Sequence, residues 1–104
     1  MRVLVVDDEP RLAAAVQRGL EAEGFAVDIA STGDEGLWMA TEVAYDVIVL
    51  DIMLPGMSGY AVCSHLREAG VWTPILMLTA KDGEWDEAEA LDTGADGYLS
   101  LIHI

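Results

Sequence analysis

Two apolar tetrapeptides each run straight into aspartate. Val3-Leu4-Val5-Val6 precedes Asp7 and Asp8, and Val47-Ile48-Val49-Leu50 precedes Asp51. Such short runs without polar alternation suit strands buried on both faces, the habit of parallel sheets. Parallel strands end at the same edge of a sheet, where α/β proteins bind ligands. Acids far apart in sequence are therefore carried to one place. Packing alone has no use for three carboxylates side by side, and a hard divalent cation relieves their repulsion.

The rest of the chain alternates strand and helix. The first strand is expected over Arg2 to Val6, with Pro10 suited to the first turn of a helix. Leu12, Val16 and Leu20 recur every four residues as an inward stripe, and that helix closes near Gly24. Phe25 to Ala30 reads as a second strand. Ser31-Thr32-Gly33-Asp34 caps a helix to about Val43, with Leu37 and Ala40 inward. Asp46 to Leu50 is the third strand, followed by a loop broken by Pro55 and Gly56. Ser58 caps a helix to about Ala69 that buries Val62 and Leu66. Pro74 to Leu78 is the fourth strand and Thr79 to Gly83 a loop. A fourth helix is expected over about 84–92, and a fifth strand from Asp96 to about Leu101. This alternation predicts an α/β, doubly wound parallel five-stranded sheet with right-handed crossovers, in the flavodoxin-like order 2-1-3-4-5. Its switch point falls between the first and third strands, which carry Asp7, Asp8 and Asp51.

Composition narrows the function. A chain of 104 residues is one domain, and 53% hydrophobic content is enough for a core. The formal net charge is −14, from 19 acids against five Lys and Arg. That balance argues against this segment gripping nucleic acid, which needs clustered basic residues. It suits metal ions or a basic partner surface, and part of it simply keeps a domain soluble. The single cysteine, Cys63, excludes an internal disulfide and a multi-cysteine zinc site. A cytoplasmic location fits. No apolar run approaches the roughly 18 residues of a membrane span, and Met1-Arg2 leads into a strand with no signal-peptide pattern.

Four segments together resemble the receiver domain of two-component response regulators: VLVVDDEP at 3–10, DVIVLDIMLPGMSG at 46–59, PILMLTA at 74–80 and GADGYL at 94–99. They stand in the family's order and spacing over nearly the whole chain. The Leu-Pro-Gly and Tyr-Leu details look most like the transcription factors whose receiver precedes a winged-helix DNA-binding domain. The resemblance implies that Asp51 is the phosphoacceptor, taking its phosphoryl group from a sensor histidine kinase. It implies Mg²⁺ held by Asp8, Asp51 and the backbone carbonyl of Met53, with Asp7 acting through a bound water. It implies a switch in which the Thr79 hydroxyl meets the phosphoryl group and Tyr98 changes rotamer. A homodimer is a further partner the resemblance allows. DNA binding would come from a C-terminal domain beyond this chain.

The sequence departs from the family at its end. Where the family places a lysine followed by proline, this chain has Leu101 and Ile102. Leucine offers no cation to a phosphoryl group, and Lys81, in the loop past Thr79, does not occupy that position. Ser100-Leu101-Ile102-His103-Ile104 does not read like the family. A non-native tail from residue 99 or 100 to 104, with the fifth helix missing, is one reading; a divergent receiver is the other.

Other polar residues carry less. Asp46 reads as a strand-start residue, Glu9 as a first-turn acid favoured by the helix dipole, His65 as a helix-surface residue and Cys63 as a small helix residue. Trp38, Trp72 and Trp85 either face partners or cover core edges. The run 82–89 lacks the glycine of a calcium loop. A haloacid dehalogenase-type phosphohydrolase would need a second aspartate two residues after the nucleophile; that position is Met53, so an enzyme is not expected. The remaining rival is a receiver-like interaction module that works without phosphorylation.

Overall fold

The computed structural model describes residues 1–79 and 97–100, with side chains for 1–78. Eight elements follow in order: β1 (Arg2–Val6), α1 (Pro10–Ala22), β2 (Ala26–Ala30), α2 (Gly33–Glu42), β3 (Val47–Asp51), α3 (Gly59–Glu68), β4 (Ile75–Thr79) and β5 (Gly97–Ser100). The sheet is parallel throughout, in the order β2-β1-β3-β4-β5. This is the expected α/β architecture. The expected fourth helix and the chain from Leu101 onward lie outside the described residues.

Strand alternation sorts the core into two layers. Leu4, Val6, Ile48, Leu50, Ile75 and Met77 face one way, against Ala40 of α2 and Val62, Cys63 and Leu66 of α3. Val3, Val5, Val27, Val49 and Leu78 face the other way, with Val16 and Leu20 of α1 packed on them. Helices on both faces are what let these strands be apolar on both sides. Each fully buried large side chain contributes roughly 1.5–3 kcal/mol.

Local sequence sets the helix starts. Thr32 caps α2: its hydroxyl accepts the Glu35 N–H at 3.1 Å, while the Glu35 carboxylate reaches back to the Ser31 N–H at 2.8 Å. This resembles a capping box, with the carboxylate reaching the amide one residue before the cap. Ser58 caps α3, accepting the Ala61 N–H at 3.2 Å. Glu9 proves to be the N-cap of α1 and not a first-turn acid, its carboxylate accepting the Arg11 N–H at 3.1 Å.

Several boundaries move by one residue. β2 begins at Ala26, not Phe25, because Phe25 donates its N–H to Leu20 in the turn closing α1. β3 and β4 each run one residue later than expected, because the polar residues Asp51 and Thr79 still continue the ladder. The α1 stripe is also only half-buried, Ala13 being the fully buried residue of that helix.

The edge of the sheet where the strands begin carries a polar lock. Arg2 Nε meets Asp28 Oδ2 at 3.2 Å, and the same oxygen accepts the Tyr45 hydroxyl at 2.8 Å. The Arg2 N–H donates to Asp46 Oδ2 at 2.7 Å. Asp46 is thus a strand-start residue with a structural partner.

Candidate functional site

At the opposite edge, pairing of Val6 with Leu50 brings the ends of β1 and β3 together. Asp7 lies just beyond β1 and Asp51 is the last residue of β3. Asp7, Asp8 and Asp51 each offer a carboxylate oxygen, and these oxygens lie within 4.8 Å of one another. Asp7 is buried, Asp51 half-buried and Asp8 exposed, so the cluster opens to solvent on one side.

The backbone fixes these carboxylates. The Asp7 N–H donates to the Ala30 carbonyl at 3.0 Å, and Asp7 Oδ1 accepts the Glu9 N–H at 2.8 Å. Asp51 Oδ1 accepts the Met53 N–H at 3.2 Å, which brings the Met53 backbone to the cluster while its side chain stays exposed. Gly59 holds the far side. A Cβ there would strike the Asp51 carbonyl and the Ile52 backbone, so only glycine lets α3 start this close to the end of β3. The sequence showed Gly59 only as the end of a loop. An unusual demand for a Cβ-free position leaves no periodic signal.

The electrostatics are unfavourable as they stand. Burial pushes the Asp51 carboxyl up to about 7, helped by the charges of Asp7 and Asp8 and only partly opposed by the Met53 amide. Asp7 is raised too, first by burial and then by Asp8 and Glu9, against the hydrogen bond from Glu9. Asp7 Oδ2 is buried with no hydrogen-bond partner. Among the described residues the ion pair is Arg2 with Asp28, at the other edge of the sheet, and no basic side chain neutralises the cluster. An orphaned carboxylate oxygen beside two more, with no nitrogen or sulfur donor, fits a hard oxygen-seeking divalent cation such as Mg²⁺.

The other expected residues are located by backbone position alone. Thr79 ends β4, one residue beyond Leu78, which pairs with Asp51. Tyr98 is in β5, paired with Met77. The Thr79 and Tyr98 side chains, Lys81 and Leu101 lie outside what the structure describes. Asp46 stands at the other edge of the sheet, and His65 is exposed on α3. No described helix is long and apolar enough to cross a membrane.

Comparison with known proteins agrees with this geometry. Residues 3–100 match the response regulator receiver domain. The chain is 46% identical over 100 residues to the transcriptional regulatory protein TcrA of Mycobacterium tuberculosis, covering 96% of this chain and 40% of that protein. It is 46% identical over 99 residues to the alkaline phosphatase synthesis transcriptional regulatory protein PhoP of Bacillus subtilis, covering 95% and 41%. The chain thus spans well under half the length of these curated relatives. Among solved structures it is similar to the Francisella response regulator 1452 receiver domain, with a TM-score of 0.89 and 34% identity over 95% of this chain and 82% of that one. It is also similar to the response regulator TrrA of Thermotoga maritima in complex with Mg²⁺ and BeF, with a TM-score of 0.86 and 34% identity over 95% and 84%.

Proposed function

The chain belongs to the response regulator receiver domain family, and on that footing we propose that Asp51 is its phosphoacceptor, supplied by a sensor histidine kinase. Phosphorylation on aspartate and dependence on Mg²⁺ are general properties of the family. The observation that carries the assignment is the cluster itself. Asp51 is the member at a strand end, half-buried and open to a donor, with its neighbours placed to share a cation.

In this reading an Asp51 carboxylate oxygen attacks the phosphorus of a phosphohistidine. The new O–P bond forms as the P–N bond breaks, and the imidazole leaves with the electron pair. The product is an acyl phosphate on Asp51. Phosphoryl transfer is mostly positioning and neutralisation of charge. The Met53 amide, already on Asp51 Oδ1, orients the nucleophile. Asp8, Asp51 and the Met53 carbonyl would hold Mg²⁺ directly and Asp7 through a water. When bound, the cation supplies the positive charge that these carboxylates and the phosphoryl oxygens lack. Thr79, at the same strand level, would give its hydroxyl to a phosphoryl oxygen, and Tyr98 would follow by changing rotamer. The two states would differ in population and not in fold.

The chain acts here as a phosphorylated switch rather than an enzyme. It works in the cytoplasm, and its output is DNA binding by a further domain, as the similarity to transcriptional regulators supports. A homodimer is one form that output would take. One observation favours a second reading: Leu101 stands where the family has lysine, which suits an interaction module that needs no phosphate. Acetyl phosphate with Mg²⁺ separates the two. The first reading expects intact mass to rise by one phosphoryl group, located at Asp51. No gain with a phosphodonor or a cognate kinase would leave the second.

A further inference from the structure

Two tryptophans stand out from the surface in opposite electrostatic company. Trp38 is 65% exposed and Trp72 is 73% exposed. Trp72 has its own cation: the Arg67 guanidinium lies 5.5 Å from the ring centroid. Arg67 Nη1 is held by the carbonyls of Val71 and Thr73, each at 2.9 Å. Trp38 sits midway along α2, whose sequence GDEGLWMATE contains no basic residue. Residues three and four positions away share a helix face. For Trp38 these are Asp34, Glu35, Thr41 and Glu42, all exposed. Among the described residues no cation lies over the Trp38 ring.

An indole face attracts cations, arginine above all. A guanidinium can stack flat on the ring while its N–H groups reach carboxylates at the rim. Tryptophan and arginine are also the side chains that most often dominate interfaces. An aromatic ringed by acids repels nucleic acid and anionic membranes, and so does the net charge of −14. We propose that the Trp38 face of α2 docks an arginine-bearing segment of a separate protein, in the way Arg67 already serves Trp72 within this chain. Within this chain Arg2 is engaged by Asp28 and Arg67 by Trp72, while Arg11 and Arg18 lie on α1, which packs on the opposite face of the sheet from α2 and α3. The surface is independent of the chemistry at Asp51.

The test uses the whole chain with Trp72→Phe and Trp85→Phe, so that Trp38 alone reports by fluorescence. A short arginine-alanine peptide is titrated at near-physiological salt, beside a lysine-alanine peptide of equal charge. The arginine peptide should change Trp38 emission and bind at least about threefold more tightly than the lysine peptide. Calorimetry with the unmodified chain should show Trp38→Ala weakening the arginine peptide at least about tenfold. Asp34→Asn combined with Glu42→Gln should weaken it severalfold. Glu21→Gln with Glu23→Gln, at the end of α1, removes the same charge elsewhere and should change little. Equal losses from the two charge-removal pairs would mean net charge alone attracts the peptide, and the proposal would fail. Unchanged affinity in Trp38→Ala would sink it as well. That ring is exposed, so its loss leaves the core intact, and a matching urea midpoint will show it.

Discussion

The two edges of one sheet carry similar groups and treat them in opposite ways. Toward the edge where the strands begin, Arg2 and the Tyr45 hydroxyl reach Asp28, midway along β2, and Asp46 accepts the Arg2 amide. Where they end, Asp7, Asp8 and Asp51 crowd together with no described cation among them, and Asp7 Oδ2 is left without a partner. Buried polar groups are normally satisfied, so an exception calls for a reason. The satisfied edge holds the sheet together. The unsatisfied edge keeps a buried carboxylate oxygen with no partner, and that contrast separates the two edges more sharply than the number of acids does.

The largest expected effect is on phosphorylation. Asp51→Asn should abolish incorporation of a phosphoryl group from acetyl phosphate or a kinase, since an amide is no nucleophile here. Asp46→Asn, at the other edge, should leave it near the parent rate. Intact mass and peptide mapping will read both. Loss in both proteins, or label elsewhere in the Asp51→Asn protein, would break the contrast between the edges.

Next comes metal affinity. Asp8→Ala and Asp7→Asn should weaken Mg²⁺ binding by roughly 10–100-fold, the scale seen when metal-site partners are removed. Asp28→Asn should not change it. Titration followed by amide resonances near Asp51 measures all three. If Asp8→Ala binds as the parent does, the carboxylate cluster is not the cation site.

The strands were legible because apolar runs and their terminal acids are local patterns. Parallel topology then places Asp7, Asp8 and Asp51 together without any side-chain detail. Their boundaries were less legible, since Asp51 and Thr79 are polar yet still pair in the ladder. The polar lock was not legible at all. Tyr45 sits 17 residues from Asp28, and Arg2 sits 26 from it. Such contacts depend on where the fold brings the chain, and no spacing announces them. Gly59 was missed for the same reason, its role being a close approach between a helix start and the Asp51 backbone.

Tyr45→Phe tests the satisfied edge. Its hydroxyl is hydrogen-bonded to the Asp28 carboxylate and its ring is buried. Removing a hydrogen bond to a charged group costs about 1.5–3 kcal/mol. The Tyr45 phenol is pushed up to about 12, first by burial and then by Asp28. An acid raised in the fold keeps its full contribution below its ordinary value of 10.0 and loses it as pH climbs from there through about 12. The cost of Tyr45→Phe should therefore be the same at about pH 6 and about pH 8. Phosphorylation of Asp51 should be unaffected. A pH-dependent cost, or a loss of phosphorylation, would show that the two edges are coupled.

The smallest effect runs the other way and completes the comparison. The Asp51 carboxyl ordinarily titrates at 3.8 and is pushed up to about 7 by burial and by Asp7 and Asp8. A carboxyl harder to ionise in the fold than in the open chain contributes stability that is full below 3.8 and is lost as pH rises through about 7. The cluster thus weakens the metal-free domain at about pH 8, by roughly 4 kcal/mol in a dry site. Solvent reaching a half-buried carboxyl cuts that to about 1 kcal/mol. Asp51→Asn removes the strained charge, so in EDTA it should raise stability at about pH 8 by that 1 kcal/mol and by almost nothing near pH 4. Mg²⁺ should stabilise the parent at about pH 8 by binding the folded state, and should do much less for the Asp51→Asn protein. Urea midpoints across this range, with and without Mg²⁺, give the answer. If Asp51→Asn destabilises the metal-free domain at high pH, the acidic edge is held together by contacts of its own, and the distinction between a satisfied and an unsatisfied edge fails.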